Sequence, residues 1–180
     1  AEVSQGTLTA IFEFQTFICR LTGMDVANAS MYDGATALAE SVLMSVGVSG
    51  KKTVAVADTL HPHYRRVLET YCWANDVEIR TAHGEAGVMM TPAADALDGA
   101  SALIIQSPNF FGCVEDVSAL SSAAHAAGAH SIVVVTEPHS LGLLAPPGKS
   151  GADIVCGEAQ SFGNPVGFGG PALGMLAAGA

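Results

Sequence analysis

Three short segments of this 180-residue sequence carry side chains that could bind a ligand. Asp33-Gly34-Ala35-Thr36 leads into a predicted helix, His61 precedes Pro62, and Glu137 follows a strongly β-branched run. Backbone N–H groups at a helix start attract anions, a histidine can stack on a planar ligand, and a carboxylate after a strand can point at a ligand. Ordinary explanations exist for each: a helix cap, a hydrogen bond at a helix start and a solvated loop acid. The residues alone leave both interpretations open.

Other common catalytic patterns are missing from the sequence. No lysine follows Gly34 at P-loop spacing, and the glycines at 163, 167, 169 and 170 lie outside a strand–helix unit of the kind that binds dinucleotides. There is no GxSxG elbow, and His125 and His130 are interpreted as structural. The four cysteines, at 19, 72, 113 and 156, have neither CxxC nor zinc spacing, which predicts reduced core residues and no metal site.

The composition excludes several broad classes of protein. Hydrophobic residues make up 49% of the chain and charged residues 13%, which predicts a folded domain with a sizeable core. A net charge of −10 would repel a nucleic-acid backbone. No apolar run approaches the ~18 residues that span a bilayer, and no basic-then-apolar leader opens the chain. We therefore expect a cytoplasmic protein without membrane or nucleic-acid partners.

The spacing of apolar residues predicts alternating helices and strands. Helical periodicity is present at 4–21, 34–48, 62–73 and 116–127. Short, almost wholly apolar runs typical of buried strands lie at 53–57, 102–105, 132–135 and 154–156, and 77–79 is predicted to be extended. This pattern predicts one α/β domain with a mainly parallel sheet covered by helices on both faces. Ligands gather at the carboxyl ends of such strands, which predicts functional loops at 28–36, 58–63, 106–113, 136–142 and 158–171.

The last part of the sequence has an unusual composition. No charged residue is present from Ala159 to Ala180, and the chain stops in the apolar stretch Ala172–Ala178. A free domain surface normally carries charges. We therefore expect this stretch to pack against something outside the chain, either further sequence or a partner.

Several strings resemble one enzyme family in unbroken order over nearly the whole chain. They are Ser4-Gln5-Gly6, Met31-Tyr32-Asp33-Gly34-Ala35-Thr36-Ala37-Leu38-Ala39-Glu40, His61-Pro62-His63-Tyr64-Arg65, Ser107-Pro108-Asn109-Phe110, Ser140-Leu141-Gly142, Pro146-Pro147-Gly148, Gly151-Ala152-Asp153 and Gly167-Phe168-Gly169-Gly170-Pro171. The family is glycine dehydrogenase (decarboxylating), the P-protein of the glycine cleavage system, in its subunit 1 or N-terminal-half type.

This resemblance implies a fold and an activity. The fold would be the large domain of a fold-type I, pyridoxal-phosphate-dependent transferase over residues 1–180, with an N-terminal extension and a C-terminal small domain absent. The complete enzyme would release CO2 from glycine and transfer the aminomethyl group to the lipoyl arm of the H-protein.

The resemblance also implies that this chain lacks the cofactor-binding amine. Pyridoxal phosphate needs a lysine for its internal Schiff base. Lys51, Lys52 and Lys149 are all predicted at the ends of strands opposite the ligand cleft. The His-Lys pair of catalytic relatives corresponds here to Gln160-Ser161. The resemblance therefore implies no catalytic residue in this chain and no covalently bound cofactor, with a partner, the lysine-bearing subunit 2, carrying the pyridoxal phosphate.

The remaining site residues are assigned by the same resemblance. Asp33–Thr36 correspond to the phosphate-binding region, His61 to the ring-stacking neighbourhood and Glu137 to the acid at the pyridine nitrogen, all as remnants. Gly169, Gly170 and Pro171 are expected near a subunit boundary, close to the neighbour's phosphate. One alternative is an inert scaffold or binding domain with a vestigial anion pocket, and an independent transferase with another cofactor has no motif to support it.

Overall fold

A computed structural model of the chain describes residues 2–89, 92 and 94–179. The strands in these residues are β1 (Val26–Ala27), β2 (Thr53–Ala57), β3 (Glu78–Ala82), β4 (Ala102–Gln106), β5 (His130–Val135), β6 (Ile154–Glu158) and β7 (Gly174–Ala178). The helices are α1 (Gln5–Thr22), α2 (Gly34–Ser49), α3 (Pro62–Ala74), the single-turn α4 (Ala94–Leu97) and α5 (Val117–Ala126). Most bounds agree with the sequence prediction to within two or three residues.

The strands form one sheet in the order β1-β7-β6-β5-β4-β2-β3. Strands β2 to β6 are parallel wherever they pair, whereas β7 runs antiparallel to both of its neighbours, β6 and β1. The mainly parallel α/β fold predicted from the sequence is thereby confirmed. Because parallel strands place all their carboxyl ends at one edge, the loops after β2, β4, β5 and β6 meet there.

Helices cover both faces of the sheet, as predicted. On one face, α2 and α3 pack Leu38 and Leu68 against Val54, Ile104 and Ile132 of the strands. On the other face, α4 and α5 cover one half of the sheet and α1 covers the other half. Alternate residues of each strand point to opposite faces, so strands buried on both sides must be apolar throughout, which is the pattern that the sequence shows.

The apolar stretch near the end of the sequence corrects one prediction. Residues 172–178 were expected to pack against something outside the chain, but β7 lies inside the chain's own sheet, between β6 and β1. Met175 and Ala177 are fully buried there, in the cluster that also contains Ile18 of α1. The stretch lacks charges because it is a core strand.

The cysteines bear out the core prediction only in part. Cys72 and Cys156 are buried, and burial raises the pKa of the Cys72 thiol to about 11 and that of Cys156 to about 12, so both stay protonated at neutral pH. Cys19 and Cys113 are half-buried instead, so the core prediction was wrong for them. Within the described residues all four thiols are free.

No helix among the described residues is long and apolar enough to cross a membrane.

Truncation of Met175 tests the position of β7. The Met175→Ala variant should lose about 2–5 kcal/mol of unfolding free energy, because it leaves a cavity in a closed core. Leu176→Ala, on the other face of the same strand and only half-buried, should lose less. Urea denaturation of both variants measures the difference, and equal small losses would contradict a core position for Met175.

Candidate functional site

The candidate site lies at the edge of the sheet where β2, β4, β5 and β6 end and α2 begins. The segment before α2 is held to the start of β7, since Met31 and Gly174 exchange backbone hydrogen bonds of 2.8 and 2.9 Å. A Cβ atom built on Gly174 would overlap the backbone oxygen of Asp33. This close approach requires glycine and fixes the entry of α2 relative to the sheet.

The predicted anion-binding segment forms a complete helix cap. The backbone N–H of Thr36 donates to Asp33 Oδ1 over 2.7 Å, and the Thr36 hydroxyl donates to the same oxygen over 2.8 Å. In return, the backbone N–H of Asp33 donates to Thr36 Oγ1 over 3.3 Å. This is a capping box built with Asp and Thr. Asp33 therefore acts as the N-cap residue of α2, which is the ordinary explanation given for it in the sequence analysis.

A second carboxylate, that of Glu158, reaches the start of α2 from the end of β6. The N–H of Gly34 donates to Glu158 Oε2 over 3.1 Å, while those of Gln160 and Leu173 donate to Oε1 over 3.0 and 2.9 Å. One side chain thus binds backbone from α2, from the turn after β6 and from the residue before β7. The sequence analysis did not single out Glu158, although an acid directly after a buried strand was a signal that could have found it.

Tyr64 closes the space around these carboxylates. A Cβ atom built on Gly34 would overlap the Tyr64 hydroxyl and lie 2.8 Å from the backbone of Gly157 and Glu158. Burial raises the pKa of Tyr64 far above its ordinary value, and the charges of Glu158 and Asp33 raise it further. The surroundings of Gly34 are therefore crowded and unfavourable for additional negative charge.

His61 begins α3 and lies among aromatic rings. Its Nδ1 accepts a hydrogen bond from the backbone N–H of His63 over 3.1 Å, so the cap explanation is realised here too. The ring packs edge-on against Phe110 at 5.1 Å and lies 5.6 Å from Tyr64. Desolvation and, to a lesser extent, the neighbouring His63 lower the pKa of His61, which favours the neutral ring.

Buried side chains connect the ends of β2, β4 and β5. The Gln106 side-chain oxygen accepts from the His61 backbone N–H over 2.7 Å, and its NH2 group donates to Thr136 Oγ1 over 3.3 Å. Next to it, the buried Glu115 accepts from the Asn109 amide over 2.6 Å and from the backbone N–H of Met89 over 2.9 Å. These contacts fix the loop that carries Phe110, and the sequence analysis had assigned no role to Gln106 or Glu115.

Glu137, His139 and Ser161 form an exposed cluster after β5 and β6. Glu137 Oε1 lies 2.8 Å from His139 Nδ1 and accepts from the Ser161 hydroxyl over 3.1 Å. Ser161 Oγ is also 3.2 Å from the same His139 Nδ1. A serine nucleophile needs the acid and the hydroxyl on opposite ring nitrogens. Because both groups contact Nδ1, this cluster is not a hydrolytic triad.

The predicted site residues therefore fall into separate groups. Glu158 joins Asp33–Thr36 to the turn that contains Gln160, and Glu137 contacts Ser161. His61 is linked through Gln106 to Thr136, the residue after β5. Gly169, Gly170 and Pro171 lie in the glycine-rich loop before β7. The side chains of Val166 and Phe168 in this loop are almost fully exposed. Among the described residues outside its chain neighbours, the backbone nitrogen of Ala172, at 3.9 Å, is the one atom within 4 Å of a Cβ atom built on Gly170, so a side chain there has open space.

Comparison with known proteins decides the family. The family model described as "Glycine cleavage system P-protein" matches residues 1–180. The chain belongs to the glycine cleavage system P-protein family. The resemblance inferred from the sequence strings is thereby confirmed.

Curated P-protein relatives agree with this assignment. The probable glycine dehydrogenase (decarboxylating) subunit 1 of Desulfitobacterium hafniense is 54% identical over 178 residues, which are 98% of this chain and 40% of the relative. The subunit of the same name from Thermotoga maritima is 52% identical, with the same two coverages. The chain thus spans about two fifths of the length of the curated relatives that it matches.

Solved structures confirm the fold class. The crystal structure of glycine decarboxylase (P-protein) of the glycine cleavage system, in inhibitor-bound form, has a TM-score of 0.92 and 47% identity, over 99% of this chain and 40% of that one. A cysteine desulfurase from Thermococcus onnurineus NA1 has a TM-score of 0.71 at 17% identity, over 98% of this chain and 44% of that one, which shows the fold alone. The fold is that of fold-type I, pyridoxal-phosphate-dependent enzymes.

The residues of this P-protein chain do not fit pyridoxal phosphate. Lys51 Nζ donates to the carbonyl groups of Ala100 and Gly128 at the opposite edge of the sheet, and Lys52 Nζ donates to that of Asn75. Lys149 lies in the 3₁₀ helix that precedes β6, also at the far edge. At the start of α2 the amides of Gly34 and Thr36 already bind carboxylates. In the described part of the chain, the lysine amines therefore lie away from this edge, and two of the amides that could hold a phosphate are already bound to carboxylates.

No group of three or more His, Cys, Asp and Glu side chains in the described part of this chain could hold a metal ion.

The Glu137 cluster gives a titration that can be measured. Its hydrogen bond with the His139 side chain, helped by the His139 N–H and the Ser161 hydroxyl, lowers the pKa of Glu137 below 4.5. A pKa that is lower in the folded state stabilises the protein above the unfolded pKa, and this contribution is lost as the pH falls through the folded pKa. His139→Ala should therefore raise the pKa of Glu137 towards 4.5, and Ser161→Ala should raise it less.

Carboxyl-carbon NMR of Glu137 measures this shift. Ser140→Ala is the control, because the Ser140 hydroxyl donates to the Glu137 main-chain oxygen over 2.7 Å and not to its carboxylate. An unchanged Glu137 pKa in the His139→Ala variant would show that the contact does not hold the carboxylate.

Proposed function

We propose that this chain is part of the non-lysine-bearing subunit of a glycine decarboxylase. The assembled enzyme would release CO2 from glycine and transfer the aminomethyl group to the lipoyl arm of the H-protein. Support comes from the family model over residues 1–180 and from the curated relatives, which are named subunit 1 of glycine dehydrogenase (decarboxylating). Glycine, the lipoylated H-protein and a second, lysine-bearing subunit are the proposed partners.

The observation that carries this assignment is the pair Gln160-Ser161 in the turn that follows β6. Neither side chain can form an imine, and the three lysines lie at the far edge of the sheet. Pyridoxal phosphate supplies an electron sink for decarboxylation where it is bound. We assign the cofactor to the partner subunit, and no step of the reaction to a side chain of this chain.

The remaining features of the proposal concern the subunit as a whole. Residues 1–180 would be the large domain of a longer subunit, in agreement with the two fifths of the curated relatives that they match. The net charge of −10 argues against a nucleic-acid partner. We propose the cytoplasm as the compartment, as expected for free cysteines in a reducing environment.

The glycine-rich loop is proposed as the part of this chain that reaches the partner. Val166 and Phe168 are almost fully exposed beside Gly169, Gly170 and Pro171. Large apolar side chains grouped on a surface mark interaction sites. In this proposal the loop contacts the partner near its cofactor phosphate, so any influence of this chain on the chemistry acts across the interface.

Reconstitution tests the proposed function. The complete polypeptide that carries this chain is combined with the lysine-bearing subunit, pyridoxal phosphate, glycine and lipoylated H-protein, and CO2 release is measured. We expect glycine-dependent release that is lost when this polypeptide is omitted. Full activity of the lysine-bearing subunit alone would instead support an inert scaffold.

Borohydride reduction of the same assembly locates the cofactor. Peptide mapping should find the reduced pyridoxyl group on a lysine of the partner. A pyridoxyl group on Lys51, Lys52 or Lys149 would contradict the proposal.

Enlarging Gly170 tests the proposed interface. Gly170→Trp should leave the subunit folded, because a side chain there meets little of its own chain, but should weaken assembly by about 1–3 kcal/mol, as overpacking of a tight contact does. Gly47→Trp is the control, since a Cβ atom on Gly47, an exposed residue of α2, also has no atom within 4 Å. Subunit titration by calorimetry measures the difference, and equal affinities would contradict the interface role.

A further inference from the structure

We propose that Glu158 is a built-in anion that takes the place of a phosphate at the start of α2 and positions the segment 160–173. The four N–H groups at a helix start lack partners within the helix and attract negative charge. In this chain the Glu158 carboxylate accepts from one of these groups, the N–H of Gly34. The inference concerns the chain's own amides and does not depend on the activity of the assembled enzyme.

The geometry around Glu158 resembles the binding of an anion by backbone amides. Its two oxygens accept from the N–H groups of Gly34, Gln160 and Leu173 over 2.9 to 3.1 Å. Charge-assisted hydrogen bonds of this kind are about twice as strong as neutral ones. Gly34 is 124 residues from Glu158 in the sequence, so the contact joins distant parts of the chain.

Space and charge exclude a further anion at this position. Gly34 is buried under the Tyr64 hydroxyl and the backbone of β6, and a single added carbon atom would overlap them. The Asp33 carboxylate already accepts the Thr36 N–H. A phosphate would bring a charge of roughly −1.5 to −2 beside two carboxylates. The site is therefore closed by the chain itself.

The same carboxylate holds both ends of one loop. Gln160 begins the segment that follows β6, and Leu173 is the last residue before β7. Glu158 Oε1 binds the N–H groups of both, so the intervening residues leave and re-enter the sheet beside one oxygen atom. Glu158 is thus a positioning residue for the loop that contains Gly169, Gly170 and Pro171.

Inorganic phosphate is the probe that tests this role. Thermal unfolding of the complete polypeptide is measured against phosphate concentration, with sodium chloride of equal ionic strength as reference. Glu158→Ala removes the internal anion, and Glu40→Ala removes the same charge from an exposed position of α2. A packing defect alone would not respond specifically to phosphate.

We expect Glu158→Ala to unfold at a lower temperature and to be stabilised by phosphate in a saturable manner. The parent protein and Glu40→Ala should respond to phosphate as they do to chloride. An equal response of all three proteins, or saturable stabilisation of the parent protein, would overturn the proposal.

A conservative variant decides the question if Glu158→Ala does not fold. Glu158→Gln keeps the shape but loses the charge, so amide exchange at Gly34, Gln160 and Leu173 should be faster by about tenfold, because hydrogen bonds to charged groups contribute more than neutral ones. Exchange of the Thr36 amide, which binds Asp33, is the internal control. Unchanged exchange at the three amides would also overturn the proposal.

Discussion

The start of α2 is the constraint on which this edge of the molecule depends. A helix that begins at the rim of a sheet presents N–H groups that must find acceptors, and a buried N–H group without one is costly. The chain supplies two carboxylates there. One belongs to Asp33, the residue just before α2, and the other to Glu158 at the end of β6. Because Glu158 also binds the residues that flank the loop before β7, one side chain fixes the helix, the loop and the strand together.

The fold itself could be read from the sequence because its strands are buried on both faces. Runs such as Thr53–Ala57 and Ile132–Val135 have no polar alternation, and together with the intervening helical segments that pattern is typical of a parallel sheet between helix layers. Strand β7 was not predicted because Gly174–Ala178 lacks β-branched residues. Strand β1 was not predicted either, because it has only two residues. The missing charge at this end was a real signal, but composition alone does not distinguish a strand in the chain's own core from a surface covered by a partner.

The site was predictable in its location but not in its contacts. The loops at the carboxyl edge follow from parallel topology, and the caps at Asp33 and His61 follow from residue type and spacing. The link from Glu158 to Gly34 could not be read in the same way, because it depends on β6 and α2 being neighbours, which only the folded chain shows. The buried contacts of Gln106 and Glu115 escaped for the same reason, since each joins loops from different strands.

In the proposed assignment, the missing cofactor amine and the occupied helix start belong to one short stretch of sequence. Glu158 is the last residue of β6, and Ser161, which the proposal places at the position of the cofactor-binding lysine, follows after two intervening residues. A ligand that binds only the folded state stabilises it by mass action, and a chain that loses the ligand loses that contribution. In this proposal the carboxylate replaces a phosphate as acceptor, so the Gly34 amide keeps its hydrogen bond without any ligand. The replacement would keep the architecture of a cofactor-binding fold in a chain whose cofactor is carried by the partner.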